Sequence, residues 1–138
     1  MKQLLVVSLV AFTSTQVFAM DSLSNLVSKN RIVLVFGNAD DLKVVRQTKV
    51  LLTQIAGLDE RDMVVIGVTE DRATRIYGKV RALDRTTIRE EADIVGNDFQ
   101  VVLVGKDGGI KLRSPDVVSD IQMFDLIDRM PMRRSEQE

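Results

Sequence analysis

The sequence predicts one α/β domain: a mixed sheet of about four strands with helices packed over both faces. Three observations carry that expectation. Ile32 to Phe36, Met63 to Val68 and Phe99 to Val104 are short β-branched runs, apolar at consecutive positions, as strands covered on both faces must be. The segments between them space their apolar residues at helical intervals. Asp107-Gly108, between the third run and an alternating fourth, is a strong hairpin signal.

The first segment belongs to export. Met1-Lys2-Gln3 carries one positive charge, Leu4 to Phe12 is apolar apart from Ser8, and Val17-Phe18-Ala19 offers small residues before a cut. This is the layout of a secretory signal peptide over residues 1–19, leaving a single domain over 20–138. The apolar run is short of the roughly 20 residues a membrane span needs. No cysteine follows the cut, so no lipid anchor is expected. The plainer reading is a buried first helix. The expected product is exported, to the periplasm or the outside medium, with no stable membrane anchor after cleavage.

The remaining elements follow in order. After the first strand, Leu42 to Ala56 places Val44, Val45, Leu51, Leu52, Ile55 and Ala56 at helical spacing, capped by Asp40 or Asp41 and ended by Gly57. The second strand leads to Asp71–Asp84, polar and basic-rich, whose pattern assigns neither helix nor strand. A weaker helix runs from Thr86 to Ile94, with Thr87 and Glu90 spaced as a capping box. The third strand and Ile110-Lys111-Leu112-Arg113, which alternates as an edge strand does, form the hairpin. A last helix spans Asp120 to Met130, with Ile121, Phe124, Ile127 and Met130 on one stripe and Pro131 as its stop; Arg133 to Glu138 reads as a polar tail. Strand, helix, strand, helix, antiparallel hairpin and covering helix is the thioredoxin-like arrangement.

Composition removes several functions. The chain has no cysteine and no histidine, so no thiolate is available for dithiol exchange or peroxide reduction. Serine hydrolase chemistry lacks its usual general base, and no Gly-x-Ser-x-Gly elbow occurs. There are 19 basic and 20 acidic residues, or 18 and 20 without Lys2. That near balance provides neither the basic stripe a nucleic acid requires nor a polybasic membrane patch. Without disulfides, stability rests on an ordinary core, for which 45% apolar residues suffice.

Three segments resemble a known family: Arg61-Asp62-Met63-Val64-Val65-Ile66, the stretch from Phe99 through Gly105-Lys106-Asp107-Gly108 to Ser114, and Ile127-Asp128-Arg129-Met130-Pro131-Met132-Arg133-Arg134-Ser135-Glu136. Together they resemble the bacterial members of the P-DUDES group, small exported proteins with a peroxiredoxin-like, thioredoxin-fold domain that also occurs in some animal extracellular-matrix proteins. The resemblance covers about Leu26 to Glu136; its more specific parts are Gly-Lys-Asp-Gly and the terminal Met-Pro-Met-Arg segment. It implies a fold and no established activity. The chain also departs from working thioredoxins and peroxiredoxins. Gly37-Asn38-Ala39-Asp40-Asp41 holds no nucleophile, and Asn97-Asp98 stands where thioredoxins place a cis-proline.

Two candidate sites follow. Asp40, Asp41, Glu70, Asp71 and Asp98 lie at strand ends where open α/β sheets bind ligands, and five converging carboxylates would suit a divalent cation such as calcium. The plainer reading has Asp40 and Asp41 capping a helix, and Glu70 and Asp71 pairing with Arg72 and Arg75. No other cofactor is expected. The second candidate is basic: Lys106, Lys111 and Arg113 on the hairpin with Arg133 and Arg134 after the last helix, a set suited to carboxylate or phosphate on a partner. Its plainer reading is a solvated face, with one arginine meeting the last helix carbonyls and the Met130-Pro131-Met132 turn packed as a helix stop. Gly105 to Gly109 lacks the Lys-Ser/Thr of a phosphate loop and leads into a strand. The expected function is a redox-inactive module that binds an unidentified protein or small molecule; the alternative is a carboxylate- or metal-assisted enzyme using the acidic rim.

Overall fold

A computed structural model describes residues 21–138; the signal-peptide expectation for 1–19 lies outside them. The fold is built on β1 (Arg31–Phe36), which is buried along its whole length at the centre of a five-stranded sheet. β2 (Met63–Val68) runs parallel on one side, Val33 beside Val65. β4 (Gln100–Val104) runs antiparallel on the other, Val33 beside Leu103. The edges are β3 (Ala73–Tyr77) next to β2 and β5 (Ile110–Ser114) next to β4, giving the order β3-β2-β1-β4-β5.

Strand alternation divides the core between two faces. Ile32, Leu34 and Phe36 join Val64, Ile66, Val68, Val102 and Val104 beneath Leu23, Leu26 and α3 (Arg85–Glu91), which contributes Ile88. Val33 and Val35 join Met63, Val65, Val101 and Leu103 beneath three helices: α1 (Leu42–Leu52), α2 (Ile55–Glu60) and α4 (Asp120–Asp128). Gln47 of α1 is fully buried on that side. Its amide donates to the Val118 carbonyl at 3.0 Å and its oxygen accepts from the Val118 N–H at 2.7 Å, so the side chain replaces a missing strand neighbour.

The α/β class and the order of elements hold, and the sheet gains a fifth strand. β3 comes from the stretch whose pattern assigned no conformation. It is half exposed, so Thr74 and Arg75 interrupt the apolar signal that the inner strands carry. The first expected helix is two. It breaks at Thr53-Gln54, where the Thr53 hydroxyl donates to the Val50 carbonyl, and Gly57 lies inside α2 instead of ending α1. Asp41 caps α1, but α3 is capped by Asp84, whose carboxylate takes both the Thr86 N–H and the Thr87 hydroxyl.

The stripe assigned to the last helix holds at Ile127, with Phe124 and Met130 partly buried against the same core, and fails at Ile121. α4 buries Met123 and Ile127, whereas Ile121 is 69% exposed, since two residues are roughly 200° around a helix. Pro131 ends nothing by itself. It opens α5 (Pro131–Glu136), so the expected polar tail is a helix. Among the described residues no helix is long and apolar enough to cross a membrane.

Gly57 shows why α2 accepts a poor helix former. A Cβ there would lie 2.6 Å from Cε2 and 2.9 Å from Cζ of Phe124, whose ring is held under the Arg61 guanidinium at 4.2 Å. Overpacking costs about 1–3 kcal/mol, against a propensity gain of about 1 kcal/mol. Gly57→Ala is therefore expected to lower stability by about 1 kcal/mol in urea denaturation; a raised midpoint would mean that the ring moves aside freely.

Candidate functional site

The acidic residues at the strand ends do not assemble. Among the described residues no three carboxylates gather closely enough to hold a metal ion. Asp41 takes the Lys43 N–H as the α1 cap. Glu70 takes the Ala39 N–H at 2.9 Å, and the backbone bonds of Glu70 and Ala39 hold its carboxyl below the usual range. Asp40, Asp71 and Asp98 are exposed. Glu70 and Asp71 form no ion pair with Arg72 or Arg75; the Arg75 guanidinium donates to the Gly78 carbonyl. Asp41 and Asp98 share only an open, polar recess with Asn38, Lys43 and Phe99. The five-carboxylate cation site is thus corrected: local backbone bonds use two of the acids, and the others face water.

The basic set is also divided. Arg113 reaches the Ala92 carbonyl at 2.6 Å and Gln100 at 3.1 Å, and does not line the cleft that Lys106 and Lys111 share. Lys111 pairs with Asp107 at 2.7 Å, and Arg134 is exposed. Lys106 and Arg133 are nearly enclosed, with 10% and 5% of their side chains exposed. They belong to a larger cluster at the opposite end of the sheet from the acidic rim.

Topology assembles that cluster. β1 and β2 are parallel, so Arg31 and Met63 begin side by side with Asp62 just ahead; β4 is antiparallel, so its exit carries Gly105-Lys106 to the same end. Asp62 adopts a left-handed conformation (φ 51°), its carbonyl taking the Arg31 N–H at 2.9 Å while its carboxylate takes the Lys106 ammonium at 2.8 Å. Arg31 is 1% exposed. Its Nη1 and Nη2 donate to Oε1 and Oε2 of Glu136, each at 3.1 Å, and Nη1 also donates to the Arg61 carbonyl at 3.0 Å. Lys106 Nζ adds a 2.8 Å bond to Glu136 Oε2.

A second fork-to-carboxylate pair adjoins the first. Arg61 Nε and Nη2 hold the two oxygens of Asp128 at 3.0 and 2.9 Å, and Arg133 bridges Asp128, the Glu60 carboxylate and the Glu60 carbonyl. Arg31, Arg61, Lys106 and Arg133 are thus matched by Glu60, Asp62, Asp128 and Glu136. The Arg61 bond is the leading reason that Asp128 titrates below the usual range. Arg31, Glu60, Arg61, Asp62 and Asp128 were not among the candidates read from the sequence. The available signals were a cation immediately before a wholly apolar strand and the charges within the segments resembling a family.

Two recesses flank the cluster. One, about 290 Å³, lies between the β4–β5 turn and the α4–α5 turn, lined by Arg31, Gly105, Lys106, Asp107, Lys111 and Met130-Pro131-Met132. The other, about 540 Å³, is open and includes Asp59, Asp62, Tyr77 and Lys79. The first can take a small apolar body with an anionic group. The Met130-Pro131-Met132 turn forms its wall, with Met132 48% exposed.

A family model described as a domain of unknown function (DUF4174) matches residues 22–136. Among solved structures, the reduced 2-Cys peroxiredoxin of Plasmodium vivax is similar with a TM-score of 0.56 and 15% sequence identity, over 84% of this chain and 85% of that chain. At that identity the likeness shows a shared fold alone. No curated protein matches.

The cluster has a testable acid signature. Bonding from Arg31, then from Lys106, lowers the Glu136 carboxyl from an ordinary 4.5 to about 2. With the folded pKa below the unfolded one, this stabilisation is complete above about pH 4.5 and lost as pH falls through about 2. Glu136→Gln is expected to cost about 1.5–2 kcal/mol at pH 7, the lower part of the range for charged hydrogen bonds because water reaches Glu136. In urea denaturation the gap between wild type and variant should close from pH 4.5 to pH 2; a constant gap would show that Glu136 ionisation contributes nothing.

Proposed function

The chain belongs to the DUF4174 family, a domain of unknown function, and from that premise we propose an exported, redox-inactive module that works by binding. The observation that carries this reading is the cleft beside the charge cluster. One wall is the soft, apolar Met130-Pro131-Met132 turn, and the other presents Lys106 and Lys111. An amphipathic small molecule with a carboxylate at one end fits that pairing of surfaces.

The redox-inactive part rests on composition. The similar Plasmodium protein is named for two cysteines, and this chain contains none. The finer placement within the P-DUDES group rests on Arg61-Asp62, Gly105-Lys106-Asp107-Gly108 and the terminal Met130-Pro131-Met132-Arg133 segment. All three supply residues to this one end of the sheet, which is what a shared binding surface requires. Export rests on the charged, apolar and small-residue layout of residues 1–19.

Two measurements test the reading. Hexanoate should raise the melting temperature of the 20–138 chain while hexanamide, its uncharged analogue, does not. At about 100 times the dissociation constant the gain is roughly 2.7 kcal/mol, on the order of ten degrees. Equal shifts, or none, would remove the carboxylate-binding assignment. For export, amino-terminal sequencing of protein recovered outside the cytoplasm should begin at Met20; recovery only of chains beginning at Met1 would overturn it.

A further inference from the structure

α5 is fastened to the domain by charge. Of its six residues only Arg133 is buried, and none of its side chains belongs to either apolar core. Pro131 and Met132 are exposed. A helix this short does not persist in water by itself, so its position depends on what Arg133 and Glu136 grip. Arg133 holds Glu60 and Asp128, and Glu136 holds Arg31 and Lys106.

The grip at Arg31 is incomplete. Glu136 meets the guanidinium end-on, through Nη1 and Nη2, and Nε is buried with no acceptor among the described residues. A guanidinium offers a second fork along its side, and a buried N–H without a partner is costly. The tether through α5 fixes how Glu136 approaches. An untethered carboxylate is free to use the other fork. Arg31 and Lys106 also line the cleft with the methionine wall, so a ligand there lies against the same two cations.

We propose that Arg31 and Lys106 form a carboxylate receptor occupied in this structure by the chain's own Glu136, and that α5 is a strap which a carboxylate ligand displaces. The inference rests on the binding reading of the cleft and adds the ligand's anchor and its competitor. Carboxylate is the class because the site already holds one, in two bonds from Arg31 and one from Lys106. When α5 leaves, Arg133 and Glu136 go together, so Arg31 loses its carboxylate and Lys106 one of its two, and the incoming carboxylate takes the place of Glu136.

The test compares wild type with Glu136→Gln by calorimetric titration with hexanoate. The variant keeps an oxygen acceptor for Arg31 but loses the competing charge, so it should bind about tenfold more tightly. In wild type, hexanoate should also move the backbone amide resonances of Arg133 to Glu136 toward random-coil positions and leave Val33 and Val102 in place. Equal affinities with unmoved α5 amides would overturn the strap while keeping the cleft. Absence of binding to both proteins would overturn the receptor and the cleft reading together. If the variant fails to fold, the wild-type amides decide alone: movement supports displacement, and binding without movement refutes it.

Discussion

Arg31 is a cation at the head of the central strand, almost wholly buried in the wall of the cleft, and the rest of the structure is arranged to make that tolerable. Burying an unpaired charge costs several kcal/mol, so the guanidinium must meet a carboxylate. Glu136 supplies it from the far end of the chain. For Glu136 to arrive, α4 must stop at Asp128 and Pro131 must start a new helix at the turn. For Lys106 to join, β4 must run antiparallel to β1 and deliver its turn to the same end. Each element boundary near the cluster serves one of these approaches.

The two ends of the sheet are accordingly different in kind. The carboxyl ends of β1 and β2, where open α/β sheets usually place their chemistry, carry exposed acids that meet backbone N–H groups or solvent. The amino ends carry forked charges paired with one another, Arg31 Nε being left without an acceptor among the described residues, with an apolar cleft at their side. A buried ion cluster often contributes little net stability compared with an apolar replacement of the same shape. What it does provide is geometry, since bidentate forks fix both direction and distance.

The sheet was readable because its inner strands are apolar at consecutive positions, a pattern that survives without knowledge of neighbours. β3 was not, because an edge strand half in water leaves Thr74 and Arg75 as visible as its apolar residues. The break between α1 and α2 was hidden for another reason: one apolar rhythm runs through Leu51, Leu52 and Ile55, and only the Thr53 hydroxyl interrupts the backbone. The charge cluster was the least legible feature. Its members lie on five separate segments, and whether a charged side chain is solvated or enclosed is decided by partners far away in sequence. Lys106 and Arg133 were singled out as candidates for an exposed patch; the structure encloses both.

The separation of Arg31 from Glu136 by 105 positions also governs the order in which the molecule can finish folding. A growing chain presents β1 long before Glu136, so the central strand gains this counter-ion only after 105 further residues have been added. Closing so long a loop is slow relative to forming local contacts. Until then Arg31 favours water and holds the head of β1 open. A chain that has not yet reached Glu136 therefore keeps an unmatched cation at the head of its central strand.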